Sequence, residues 1–288
     1  MEKRSRSYLQ LMKPGITLSN SIAAVAGFFL ALSQAPASIT TFIGAIGGTA
    51  LLIASGCVVN NILDRNIDKR MKRTKKRALL NGDISVAKAA IYAAVLGLVG
   101  FALLLFWTNT VTLILGATAY IWYVVVYGLA KRTTILSTLI GGVAGALPPA
   151  AGYTAVTGHF DTGALILFLI LFIWQMPHFY AIAIFRRDDY KKAKLPIWSV
   201  SAGIESTKRQ ILAFAILYGL ATPLLFIYGY TGYIYLIISV GLSVYWIIKG
   251  IQGYRTQAPE KWARKMFGIS LLQLLSMCAL IALGGFLP

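Results

Sequence analysis

Nine apolar runs, a strict partition of positive charge and abundant glycine predict an all-α, polytopic membrane protein of about nine transmembrane helices. Of its 288 residues, 58% are hydrophobic and 12% charged, and the mean hydropathy is +0.72. A soluble chain of this length cannot hide that much apolar surface. Crossing a hydrocarbon core takes about 20 apolar residues. Runs of that kind fall at 15–34, 39–63, 89–107, 110–129, 133–154, 162–184, 210–229, 231–249 and 266–286. The 27 glycines favour close helix approach in lipid.

Charge tests this segmentation. All 27 Lys and Arg fall in alternate connections. Four precede the first run, nine lie between the second and third, two between the fourth and fifth, seven between the sixth and seventh, and five between the eighth and ninth, counting Lys249 at the very end of the eighth. The other connections and the tail have none. Such asymmetry places the N-terminus in the cytoplasm and the C-terminus outside. It also accounts for the net charge of +18, so no nucleic-acid partner is expected. The N-terminus has the outline of a signal peptide, with basic MEKRSR, an apolar core and Ala35-Pro36-Ala37. Its apolar stretch is long for a signal, and an uncleaved first span is expected. Cys57 and Cys278 lie inside predicted spans with no CxxC spacing. Residues 1–288 read as one membrane domain without a soluble appendage.

The second run ends in GCVVNNILDRNIDKRMKRTKKR, residues 56–77, with eight Lys and Arg in the last thirteen positions. Carboxylates and carboxamides at membrane depth are costly and usually mark a functional site. Spacings of four put Asn60, Asp64 and Asp68 on one helical face, and Asn61 sits beside them. Oxygen ligands of this kind suit Mg²⁺, which completes its shell with water and phosphate oxygens. The basic run suits a polyanion. The alternative is a solvated helix end, with Asp64 and Asp68 merely paired to Arg65 or Lys72.

Another acid-and-base segment, FRRDDYKKAKLP at 185–196, follows the sixth run. Four spans separate the two segments, so they face the same side, as two half-sites meeting around a central cavity. Asp188 and Asp189 could bring a second metal to a diphosphate, or simply neutralise Arg186 and Lys192. Tyr127 and Lys131 share a face at the end of the fourth run, as interface anchors or as site residues. The sixth run carries Trp174-Gln175-Met176-Pro177-His178-Phe179. Pro177 should free a backbone carbonyl there, while Gln175 and His178 bring polar groups into hydrocarbon. His159 is expected in an outer connection beside Asp161.

Four stretches together resemble a known family: LMKPGITLSN at 11–20, SGCVVNNILDRNIDKRMKRTKKR at 55–77, KRTTILSTLIGGVAGALPPAAGYTAVTG at 131–158 and WQMPHFYAIAIFRRDDYKKAKLP at 174–196. The stretch at 55–77 resembles the first motif of the UbiA superfamily of intramembrane prenyltransferases, and those at 131–158 and 174–196 resemble its haem-farnesylating branch. The resemblance implies a nine-helix fold around a central cavity, in a bacterial inner membrane. It implies that Asn60, Asp64 and Asp68 hold Mg²⁺ and diphosphate, with Asn61, Arg73 and Arg77 on the substrate. It adds Tyr127 and Lys131 as diphosphate contacts and catalytic groups. Asp189 is the preferred carrier of a second metal, with Arg186 beside it, because Lys192 stands where the family's second motif has its later Asp. Asn61 and Ser137 also depart from common family choices.

The activity implied is transfer of a farnesyl group from farnesyl diphosphate to the vinyl group of haem B, giving haem O. Tyr120, Tyr123, Trp174 and Phe179 are candidates for holding the allylic cation. His178 is a candidate for orienting porphyrin or water, and Gln175 for touching substrate. Membrane lipid surrounds the site, and a haem A synthase or terminal oxidase is a candidate recipient of the product. The alternatives are a prenyltransferase acting on a quinone precursor and, further off, a transporter with acidic coupling residues. Acids at the inner ends of spans, among cations, disfavour the transporter.

Overall fold

The computed structural model describes residues 2–288, and all regular structure among the described residues is helical. Nine helical segments are long and apolar enough to cross a membrane. A short amphipathic helix, α1 (Glu2–Leu11), leads into α2 (Pro14–Leu32), α3 (Ile39–Leu63) and the one-turn α4 (Arg65–Asp68). Then come α5 (Val86–Trp107), α6 (Thr110–Ile121), a π-helical turn (Trp122–Val126) and α7 (Tyr127–Thr133), the last three forming one span. The fifth and sixth spans are α8 (Ser137–Thr157) and α9 (Thr162–Phe185), followed by α10 (Arg187–Lys192) and α11 (Trp198–Ser201). The seventh is α12 (Gly203–Ala221) with α13 (Leu224–Ile227), interrupted near Pro223; the eighth is α14 (Tyr233–Gln252) and the ninth α15 (Pro259–Gly284).

Local chemistry starts these helices where expected. Ser38, Ser85, Asn109 and Asp161 each accept a hydrogen bond from the amide three residues on, capping α3, α5, α6 and α9. Pro14 and Pro259 open α2 and α15, where a missing N–H is harmless. Three boundaries differ from hydropathy. The seventh and ninth spans begin at Gly203 and Pro259, well before their apolar runs, because charged turns with Glu205, Lys208, Glu260 and Lys261 extend the same helices. The fifth begins at Ser137. Apolarity reports depth in the bilayer, whereas a helix continues as far as its backbone bonds do.

Four spans form the centre: α2 packs on α8, α8 on α9, α9 on α15, and α15 back on α2. Their shared core includes Leu30, Tyr153, Trp174, Met176 and Met277. The α2–α8 crossing is close enough that a Cβ at Gly27 would collide with the Pro149 carbonyl, and one at Gly152 with that of Ala24. Small residues thus permit helix contact where lipid supplies no hydrophobic drive. Outside this centre, α3 pairs with α5 and α12 with α14. The outer faces are apolar and bare: Leu98 is 71% exposed and Ile237 70% exposed, which only a lipid environment satisfies.

Candidate active site

The site is built at the end of α3. Asp64 closes that helix, yet the backbone bonds run on, from the Asp64 amide to the Asn60 carbonyl (2.9 Å) and from the Asp68 amide to the Asp64 carbonyl (2.8 Å). The expected face through Asn60, Asp64 and Asp68 therefore survives the change from α3 to α4. Asn60 and Asp68 are both 3% exposed. Charges so placed need partners. Lys131 Nζ donates to Asp64 Oδ2 at 2.6 Å, and Arg77 donates to Asp68 Oδ2 at 2.5 Å. The amide of Asn60 lies between, donating to Asp64 Oδ2 (2.5 Å) and accepting from Lys131 Nζ (3.1 Å). Thr74, fully buried, donates to the Asp68 carbonyl at 2.9 Å and folds the basic loop back so that Arg77 arrives. The partners are Lys131 and Arg77 rather than Arg65 and Lys72.

The fourth span delivers Lys131 by an irregular route. In its π turn the Tyr127 amide bonds the Trp122 carbonyl, five residues back. Such turns re-aim the residues that follow and are frequent at functional sites. Tyr127 stacks on Tyr123 with centroids 5.7 Å apart, and Lys131 Nζ lies 5.4 Å from the Tyr127 ring. Gly141 on α8 makes the room, since a Cβ there would stand 2.6 Å from the Tyr127 ring. The neighbouring Arg132 donates to the Leu63 carbonyl (2.8 Å) and reaches Asp64 Oδ1 (3.4 Å). It thereby places a cation on the negative end of α3.

Two further groups escaped the sequence reading. Lys13 links α1 to α2 with φ 51° and ψ 67°, a left-handed conformation that costs a non-glycine residue about 1–2 kcal/mol. This turn brings its ammonium among Cys57, Arg77, Asp64 and Lys131, and burial lowers its pKa below the usual lysine range. The residue as a whole is half-buried. The only sequence signal was a lysine at a membrane boundary. Tyr190, in α10, is the other. Burial raises its phenol pKa, opposed by the nearby charges of Arg73 and Arg186, and it interacts electrostatically with Tyr127. Exposed Arg73 and half-buried Arg186 thus approach the same phenol.

The acidic segment after the sixth span meets the first directly. The Lys72 amide donates to Asp189 Oδ1 at 3.0 Å, and Met71, Ala193 and Leu195 form a small shared core beneath. Asp188 is exposed. Three other candidates face protein. Asn61 donates to the Leu11 carbonyl at 2.8 Å, tying α1 to α3 and not pointing its amide into the recess. Trp174 donates to the Ser270 carbonyl (2.9 Å) and Gln175 to the Gly142 carbonyl (2.7 Å), joining α9 to α15 and α8. His178 packs between Trp174 and Phe267. Tyr120, beside Tyr123, reaches the Ser55 hydroxyl at 3.2 Å, and Phe179 is exposed on the outer face.

Two carboxylates, each matched by a cation, thus lie near the phenols of Tyr127 and Tyr190 and the guanidinium groups of Arg73 and Arg186. The model of the UbiA prenyltransferase family matches residues 20–273. The chain belongs to that family. A curated protohaem IX farnesyltransferase from Citrobacter koseri is 43% identical over 284 residues, covering 98% of this chain and 96% of the relative. Among solved structures, digeranylgeranylglyceryl phosphate synthase in membranes superposes with a TM-score of 0.81 at 19% identity, covering 99% of both chains. A UbiA homologue from Archaeoglobus fulgidus bound to GPP and Mg²⁺ gives 0.72 at 18% identity, covering 96% of this chain and 99% of that one. The nine-span arrangement is therefore the UbiA fold, and this member is an integral membrane enzyme that transfers prenyl groups.

Proposed function

We propose that this UbiA prenyltransferase transfers the farnesyl group of farnesyl diphosphate to a vinyl group of haem B, producing haem O. The observation that carries the reading is the pairing of Asp64 with Lys131 and of Asp68 with Arg77 at the end of α3. The near-full-length likeness to a protohaem IX farnesyltransferase supports the acceptor. Charge asymmetry supports a cytoplasmic N-terminus, an outer C-terminus and a site at the cytoplasmic face of a bacterial inner membrane.

The donor set fits Mg²⁺. Two carboxylates one helical turn apart and the Asn60 carboxamide are hard oxygen ligands of the kind that ion takes with phosphate. No cluster of three His, Cys, Asp or Glu forms among the described residues, so substrate oxygens and water would complete the shell. The bound ion would offset charge growing on the departing diphosphate.

The chain's own groups do the rest. Lys131, Arg77 and Lys13 face the same recess and attract the diphosphate, so the allylic C–O bond breaks with its electron pair leaving on that group. The electron-rich rings of Tyr123 and Tyr127, held together by their stacking, are the groups placed to stabilise the cation left behind. The vinyl π electrons of haem B then form the new C–C bond. One water adds to the resulting second cation and releases a proton, leaving the hydroxyl of haem O.

The test is mass spectrometry of haem recovered after purified, detergent-solubilised protein is incubated with haem B, farnesyl diphosphate and Mg²⁺. A hydroxyethylfarnesyl haem that disappears with EDTA is the expected product. Mg²⁺-dependent prenylation of 4-hydroxybenzoate, with haem untouched, would overturn the acceptor in favour of a quinone precursor.

A further inference from the structure

His178 is held by α15 in one tautomer. Its Nδ1 lies 2.7 Å from Ser270 Oγ, and Ser270 Oγ lies 2.6 Å from the Phe267 carbonyl. A carbonyl only accepts, so the one hydroxyl proton of Ser270 is committed to Phe267. Ser270 can then only accept from His178, which puts the imidazole proton on Nδ1 and leaves Nε2 with a bare lone pair. No protein group bonds that nitrogen among the described residues, and the side chain is only half-buried. The ring is fixed by flat neighbours, with Trp174 at 5.1 Å and 26° and Phe267 at 4.8 Å and 35°.

Two uses fit a lone pair so presented. A base that takes a proton becomes a cation, and none of the groups in contact with His178 (Trp174, Phe179, Phe267 and Ser270) carries a counter-charge. Charging it in an apolar slot is therefore costly. A ligand to a metal stays neutral. Metal-bound histidines also regularly donate their other N–H to an acceptor that fixes the ring, which is the part Ser270 plays here.

We propose that His178 Nε2 is an axial ligand of the haem iron during the reaction, and that Ser270 is the positioning residue that keeps that lone pair free. The inference rests on the haem-acceptor reading above. Coordination would hold the porphyrin in one place so that a single vinyl group meets the farnesyl cation, which a quinone acceptor would not need.

The experiment is equilibrium binding of haem B and of iron-free protoporphyrin IX to the detergent-solubilised full chain, with absorption spectra in both iron states. Wild type should bind haem more tightly than the iron-free ring and give an imidazole-ligated spectrum. His178→Ala should lose that spectrum, bind the two porphyrins alike, and regain the spectrum when imidazole is added. Ser270→Ala should keep ligation but weaken haem about tenfold, leaving the iron-free ring unaffected. A wild-type spectrum that His178→Ala does not change, in protein that elutes as a single species, overturns the ligand assignment while the acceptor reading stands. Failure of wild type to bind either porphyrin overturns the acceptor reading itself.

Discussion

The loops after the second and sixth spans occupy equivalent places and share a composition, yet the fold treats their acids in opposite ways. In the first, Asp64 and Asp68 are recessed and each is matched by a cation from a distant segment. In the other, Asp188 is exposed and Asp189 accepts from the Lys72 backbone amide. The difference has a local origin. The helical bonds of α3 pass into α4, so its acids stay in register with Asn60 and face inward. By contrast, α10 is closed by a left-handed Lys194 (φ 56°), with the Leu195 amide returning to the Tyr190 carbonyl. That turn buries Leu195 against Met71 and leaves the α10 acids at the seam between the loops. In the proposed reaction the first loop supplies charge, and its counterpart, bonded to it through Lys72 and Asp189, fastens it in position.

Neutralising one acid in each loop tests this division of labour most severely. Asp64→Asn and Asp68→Asn should each lower kcat by about a hundredfold or more, as removal of a single electrostatic group at a reacting centre does. Asp64→Asn also strands the Lys131 ammonium, so part of its effect will be lost thermal stability, and folded fractions should be compared. Asp189→Asn should cost less than about tenfold and act mainly on KM, because what it weakens is a loop–loop hydrogen bond of about 1–3 kcal/mol. Equal losses at Asp64 and Asp189 in steady-state assays over a Mg²⁺ titration would show that both loops hold metal.

Arg77→Met comes next. It removes the partner of Asp68 while leaving Lys131 and Asp64 intact, and a loss of about tenfold to a hundredfold in kcat/KM is expected. Tyr190→Phe probes the seam itself. Its phenol lies where Arg73, Arg186 and Tyr127 converge, so its loss should raise KM for the diphosphate a few-fold with kcat nearly unchanged. A larger fall in kcat than in kcat/KM would make Tyr190 part of the chemistry and blur the division between the loops.

Much of this was written in the chain. Apolar runs and charge fix nine spans, and four-residue spacing puts Asn60, Asp64 and Asp68 on one face because the backbone bonds happen to continue through Asp64. What could not be read depends on contacts between remote segments. Asp189 and Lys72 are separated by 117 residues, and nothing local distinguishes Asp189 from a metal ligand. Asn61 has the features of a fourth site residue, but α1, an amphipathic helix that hydropathy passes over, takes up its amide. Gln175 and Trp174 resemble substrate contacts because polar atoms in hydrocarbon are costly; the same cost is met here by carbonyls of neighbouring helices. Sequence marks where polar groups must be satisfied, and only packing decides by whom.

Lys13 carries the contrast between the loops to its smallest scale, since the loop charges it meets, Asp64 and Arg77, belong to the first loop. Burial holds its pKa below the ordinary value of about 10.4, so its positive charge is present below that lowered value and is lost as pH rises through it. Attraction for diphosphate should weaken over the same range, and KM for farnesyl diphosphate should climb on the alkaline side earlier than an unperturbed lysine would dictate. Lys13→Arg carries a guanidinium that stays protonated; it should flatten that limb while changing KM only modestly at neutral pH. Lys13→Met should raise KM at neutral pH and remove the limb altogether. A limb that persists unchanged in both variants assigns the titration elsewhere, and Lys13 would then stand as the turn that joins α1 to α2 and nothing more.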